Sequence, residues 1–111
     1  MNERVLLSGE TEPGKRRSLF RTRCKCEDKF CDVIIDGGST DNLVSEEMVS
    51  KLKFKREKHP QPYRISWVKD DHKVLVREQC MVKFKIGNYH DEILCDIIPM
   101  DVCHLLLGRP W

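Results

Sequence analysis

The sequence predicts a mainly β domain with one short helix, a small barrel or sandwich. Three observations predict it. Apolar and polar residues alternate through much of the chain with the period of two that suits half-buried strands. Short turn signals, among them Glu27-Asp28-Lys29 and Gly87-Asn88, separate those runs. Only Ser45 to Lys53 carries the spacing and end residues of a helix. At 111 residues the chain holds one domain with a modest core.

Residues 1–18 are polar and aperiodic, broken by Gly9, Pro13 and Gly14 and carrying the run Lys15-Arg16-Arg17. They are expected to be a flexible basic leader or linker. Residues 19–111 form the domain. Leu19 to Cys26 alternates, with Phe20, Thr22, Cys24 and Cys26 on one face and Arg21, Arg23 and Lys25 on the other. After the turn, Phe30 to Ile35 returns as a second strand. It runs on into Asp36-Gly37-Gly38-Ser39-Thr40, one carboxylate followed by two glycines and two hydroxyls. An acid there sits at the rim of a core and is approached by backbone N–H groups, as functional carboxylates often are. The plain alternative is an Asp-Gly turn between two strands.

Ser45 can cap a helix, Glu46 and Glu47 suit the positive end of its dipole, and Lys51 and Lys53 suit the other end. Val44, Met48, Val49 and Leu52 share its apolar face. His59-Pro60-Gln61-Pro62 reads as a rigid connection, because each proline fixes its own φ and extends its predecessor. Tyr63, Ile65 and Trp67 lie on one face of the next strand. A polar tip, Lys69-Asp70-Asp71-His72, leads to a strand through Val74 and Val76 that continues to Val82, Phe84 and Ile86. Glu92 to Ile98 comes back after Gly87-Asn88, and Leu105-Leu106-Leu107, closed by Gly108, reads as a short, fully buried strand.

Composition excludes little by itself but sets bounds. Hydrophobic residues make up 40% and charged residues 34%, and 20 basic against 18 acidic residues leave a net charge of +2. This balance calls for neither direct nucleic-acid binding nor a membrane partner. No apolar run approaches the roughly 20 residues of a membrane span. Val5-Leu6-Leu7 is too short a run for a secretory signal, so a cytoplasmic location is expected and the 6 cysteines are read as free thiols. Cys24, Cys26 and Cys31 lack the paired ligand spacing of a structural zinc site, so no metal and no cofactor are expected.

Two features stand together: an apolar strand ending in Asp36-Gly37-Gly38 and, far downstream, an apolar strand ending in Leu106-Leu107-Gly108, with a charged hairpin between them. In this combination the chain resembles the retropepsin family of aspartic proteases. Specifically, it resembles the protease segment of gypsy-type retrotransposon polyproteins, above all those of plants. The ending Leu105-Leu106-Leu107-Gly108-Arg109-Pro110-Trp111 carries that likeness, as does Cys95-Asp96-Ile97-Ile98-Pro99-Met100-Asp101 before it.

The resemblance implies a small closed β-barrel and an endopeptidase active as a homodimer, with Asp36 of each subunit sharing one proton. Two carboxylates so close cannot both ionise, so one serves as base toward water and the other as acid. It implies that Gly37, Gly38, Ser39, Thr40 and Asp41 form the active-site loop and substrate-binding wall. Trp67, Val68, Lys69, Asp70, Asp71 and His72 would form a flap over a peptide bound in extended form. Leu106, Leu107 and Gly108 would support the loop from the core. The family continues beyond Gly-Arg with further elements, so the domain is expected to be truncated at its C-terminal end. Position 37 is Gly, where the family usually has a hydroxyl that cross-links the two catalytic loops. That departure supports the alternative of an inactive retropepsin-like fold serving as a peptide-binding or assembly module.

Overall fold

A computed structural model of the chain describes residues 3–6, 19–67 and 72–108. Among the described residues there are β1 (Glu3–Leu6), β2 (Leu19–Cys26), β3 (Lys29–Asp36), β4 (Leu43–Ser45), α1 (Glu46–Leu52), β5 (Glu57–Trp67), β6 (His72–Ile86), β7 (Tyr89–Ile98) and β8 (Leu105–Leu107). Their pairing order is β1-β5-β6-β2-β3-β8-β4-β7, and β7 pairs again with β6. The strands from β6 through β7 therefore close into a ring, and β5 with β1 extends outward from β6. The class expected from sequence, mainly β with one short helix, is the class observed.

Three strands show why some apolar runs are continuous rather than alternating. β8 lies between β3, to which it is parallel, and β4, to which it is antiparallel. Val33, Val44, Leu105 and Leu107 belong to one buried cluster, and Ile34, Leu43 and Leu106 belong to another. Successive residues of these strands thus enter cores on opposite faces, so both faces must be apolar. The first cluster fills one side of the ring and takes in the helix residues Met48 and Val49. The second lies against β5 and β6 through Tyr63, Ile65 and Val76.

The helix forms as its ends dictate. Ser45 Oγ accepts the Met48 N–H at 3.0 Å, Glu46 and Glu47 occupy the first turn and Lys51 the last. Lys53 closes it in the left-handed region with φ 55°.

The structure departs from the sequence expectations at three places. Val44 does not sit on the helix but pairs with Ile97 and Leu105 in β4, because three buried residues there have strand neighbours on both sides. The stretch His59 to Pro62 is not a connection but part of β5. Prolines are tolerated because the β5–β6 register breaks between Lys58 and Tyr63, so no ladder N–H is required of them. Within the expected leader, Glu3–Leu6 pair in parallel with Arg64–Trp67 of β5. No helix among the described residues is long and apolar enough to cross a membrane.

Candidate active site

Register brings the site together. β3 and β8 run parallel with Ile35 opposite Leu107, so Asp36, the last residue of β3, and Gly108, the residue after β8, emerge at the same end. Asp36 ends β3 and is 1% exposed. The chain then doubles back over its own carboxylate: Gly38 N–H donates to Asp36 Oδ1 at 2.9 Å, and Ser39 N–H donates to the Asp36 carbonyl at 3.0 Å. The first bond fixes the direction of the carboxylate and the second closes the turn, with Gly37 and Gly38 exposed.

The loop is then braced from within. Ser39, also buried, donates its hydroxyl to the Asp41 carbonyl at 3.0 Å and accepts the Asp41 N–H at 3.2 Å. Thr40 Oγ1 donates to Asp41 Oδ2 at 3.3 Å. Gly108 lies directly beneath. A Cβ there would overlap the Asp41 carbonyl oxygen and come within 2.9 Å of that of Ser39, so only glycine lets the two segments touch. Leu106 and Leu107 are buried on opposite sides of β8.

Of the residues expected to form a flap, Trp67 and His72 are paired at the ends of β5 and β6. Val68, Lys69, Asp70 and Asp71 lie outside the described residues.

Sequence reasoning missed Asn42. Its side-chain carbonyl accepts the Gly108 N–H at 2.8 Å, and its backbone carbonyl accepts the Asp96 N–H at 2.9 Å. It therefore joins the end of the loop after Asp36 to β7 and to the segment after β8. It also missed a polar network on Asp96: Tyr63 donates its hydroxyl to Oδ2, and His59 Nε2 lies 3.1 Å from Oδ1. His59 Nδ1 accepts the Gln61 N–H at 3.0 Å, which puts the ring proton on Nε2, facing Asp96. A lone acid within the apolar run Ile93 to Ile98 was the available signal for it.

Chemically, the loop presents one oriented, buried carboxylate beside exposed glycine backbone. One carboxylate can take or give a proton, whereas hydrolysis of a peptide by water asks for a base and an acid together. Among the described residues no group of three or more His, Cys, Asp or Glu side chains is placed to hold a metal ion.

A family model described as PEG10/RTL1 protease domain matches residues 32–111. No curated protein sequence matches the chain. Among solved structures, the chain is similar to the retroviral protease-like domain of Ddi1 from Leishmania major, with a TM-score of 0.59 and 8% identity over 82% of this chain and 72% of that one. It is also similar to EIAV protease complexed with the inhibitor HBY-793, with a TM-score of 0.61 and 17% identity over 91% of this chain and 89% of that one. At these identities the likeness is one of fold, and the fold is retropepsin-like.

Proposed function

The chain belongs to the PEG10/RTL1 protease domain family, and from that premise we propose that it is an aspartic endopeptidase, active as a homodimer. Each protomer supplies Asp36 at the twofold axis. One carboxylate takes a proton from the attacking water while the other protonates the carbonyl oxygen of the scissile peptide. The protonated carboxyl and the carboxylate then exchange roles as the leaving amine takes its proton. Neither a metal nor a covalent intermediate enters this scheme.

The observation that carries the proposal is the setting of Asp36. It is a buried acid at a strand end, oriented by the Gly38 N–H on a loop braced by Ser39 and backed by Gly108. The exposed backbone of Gly37 and Gly38 supports contact with an extended peptide, with Thr40 and Asp41 in its wall and the β5–β6 hairpin as cover. The substrate we infer is a polyprotein of a gypsy-type retrotransposon, on the strength of the segments Cys95 to Asp101 and Leu105 to Trp111.

The test is cleavage of polyprotein-junction peptides by the purified chain, measured with its state of association. The expected result is acid-favoured turnover by a dimer, abolished in Asp36→Asn. Turnover that survives Asp36→Asn, or that belongs to a strict monomer, would overturn the mechanism. A folded dimer that binds peptide without turnover would instead favour the assembly-module reading, which Gly37 supports by lacking the loop-linking hydroxyl.

A further inference from the structure

The proteolytic reading leaves the cysteines unused, and their placement is not random. Five of the six, Cys24, Cys26, Cys31, Cys80 and Cys95, share one buried cluster. Two pairs face each other across antiparallel strands: Cys24 opposite Cys31 on β2 and β3, and Cys80 opposite Cys95 on β6 and β7. Residues directly opposite in such a ladder have Cα atoms about 4.5–5.5 Å apart, inside the roughly 4.4–6.8 Å that a disulfide spans.

The two pairs differ in access and in the state of their thiols. Cys80 and Cys95 are both sealed at 0% exposure, and burial pushes the Cys80 thiol up to about 11 and that of Cys95 higher still. Cys31 is 6% exposed, near the hairpin turn. Hydrogen bonds from the Cys24 and then the Cys26 thiol, with the Lys29 charge nearby, hold the Cys31 thiol well below its ordinary range, and its sulfur lies 4.0 Å from the Lys29 carbonyl oxygen. The donors themselves keep their protons: both the Cys24 and Cys26 thiols are shifted up. Cys24 and Cys26 sulfurs are 3.7 Å apart, but they belong to one extended strand, where i and i+2 Cα atoms stand about 6.6 Å apart, at the edge of disulfide reach.

We propose that Cys31 is a peroxide-reactive modification site whose resolving thiol is Cys24, so that a hydroperoxide staples the β2–β3 hairpin beneath the strand that ends in Asp36. In the first step the Cys31 thiolate attacks the O–O bond: a sulfenic acid forms, sulfur is oxidised, and the peroxide leaves as hydroxide, or as alkoxide from an organic peroxide. In the second step Cys24 sulfur attacks the sulfenic sulfur; the S–S bond forms, the S–O bond breaks, and the Cys24 proton leaves with the hydroxyl as water. The inference does not depend on peptide hydrolysis.

The test is native oxidation of the full chain with hydrogen peroxide, followed by trypsin and mass spectrometry without reduction. Cleavage after Arg23, Lys25 and Lys29 puts Cys24, Cys26 and Cys31 in three separate peptides, so each pairing gives its own product. Expected are a Cys24–Cys31 cross-link in the unaltered chain and a dimedone-trapped sulfenic acid on Cys31 in Cys24→Ser. Cys31 should be consumed at least about ten times faster than Cys80 or Cys95. A first lesion at Cys80, Cys95 or Cys103 would overturn the proposal, as would Cys31 reacting only in urea. A Cys26–Cys31 product would overturn the assignment of Cys24. All but one of these readouts use the unaltered chain, so a variant that fails to fold does not leave the outcome open.

Discussion

Gly108 donates its backbone N–H to the side-chain carbonyl of Asn42 across 2.8 Å, and so ties the segment after β8 to the end of the loop that follows Asp36. The same Asn42 accepts the Asp96 N–H on its backbone carbonyl at 2.9 Å. One residue thus fastens the end of the loop to the segment after β8 and to β7; β8 and β7 are the two strands that flank β4. The loop after Asp36 is thus held twice, from within by Ser39 and from its surroundings by Asn42.

Asn42→Ala leaves the Gly108 N–H, on a buried residue, without that acceptor. The expected loss is about 1–3 kcal/mol of stability, read as a lower urea midpoint at unchanged slope. Asn42→Asp, which keeps an acceptor oxygen, should recover part of it. An unchanged midpoint in the alanine variant would rule out the fastening role.

Gly108→Ala meets backbone, not a side chain that could swing aside: the Asp41 and Ser39 carbonyl oxygens are in the way. Overpacking of this kind costs typically about 1–3 kcal/mol. Because the displaced segment is the loop proposed to carry the active site, cleavage is expected to fall by more than the stability loss accounts for. Circular dichroism and turnover measured on the same preparation separate the two effects.

Tyr63→Phe removes the hydroxyl that donates to Asp96 and leaves His59 facing that carboxylate. Hydrogen bonds to charged groups are worth about 1.5–3 kcal/mol, and thermal unfolding should show a loss of that order. The double variant with His59→Ala should lose less than the sum of the two single losses, because the two residues act on one carboxylate. Strict additivity would show that they do not form a network.

Alkaline instability should follow from the buried thiols. Burial raises both Cys80 and Cys103 from the ordinary 9.0 to about 11. In the unfolded chain these thiols lose their protons near pH 9, while the folded chain retains them. Their contribution is therefore complete below pH 9 and drains away as pH rises toward 11. The urea midpoint should fall between pH 8.5 and 10.5, each site weighing on the order of a few kcal/mol at full development, and Cys80→Ala should flatten that slope. Parallel curves for the two proteins would contradict the assignment.

The parts of the fold legible in the sequence were those set by local pattern. The β2–β3 hairpin follows from the alternation around Cys24 and Cys26, and the helix start from Ser45 with Glu46 and Glu47. That Val33 to Ile35 and Leu105 to Leu107 are buried strands follows from their apolar runs, whereas their parallel pairing does not. What stayed hidden was set by partners distant in the chain. β4 is too short to show a period, and Val44 fits a helix face as well as a strand. Pro60 and Pro62 argue against a strand unless a break in its register is known beforehand. Asn42, His59 and Asp96 come from separate elements, and no spacing in the sequence brings them together. At the site, the apolar strand, the acid and the glycines were readable, but the brace under them was not.

β6 spans His72–Ile86, and its two halves have different neighbours: Lys73 to Val76 pair with β5 alone, while Gln79 to Ile86 pair with β7 inside the ring. The ring closes without β5 or β1. Amide exchange should accordingly divide this single strand into two cooperative units. Its C-terminal half should release protons only with global unfolding, while its N-terminal half opens and recloses with the hairpin. The end of the strand held inside the ring is thereby expected to exchange last, and the end shared with β5 alone to exchange first.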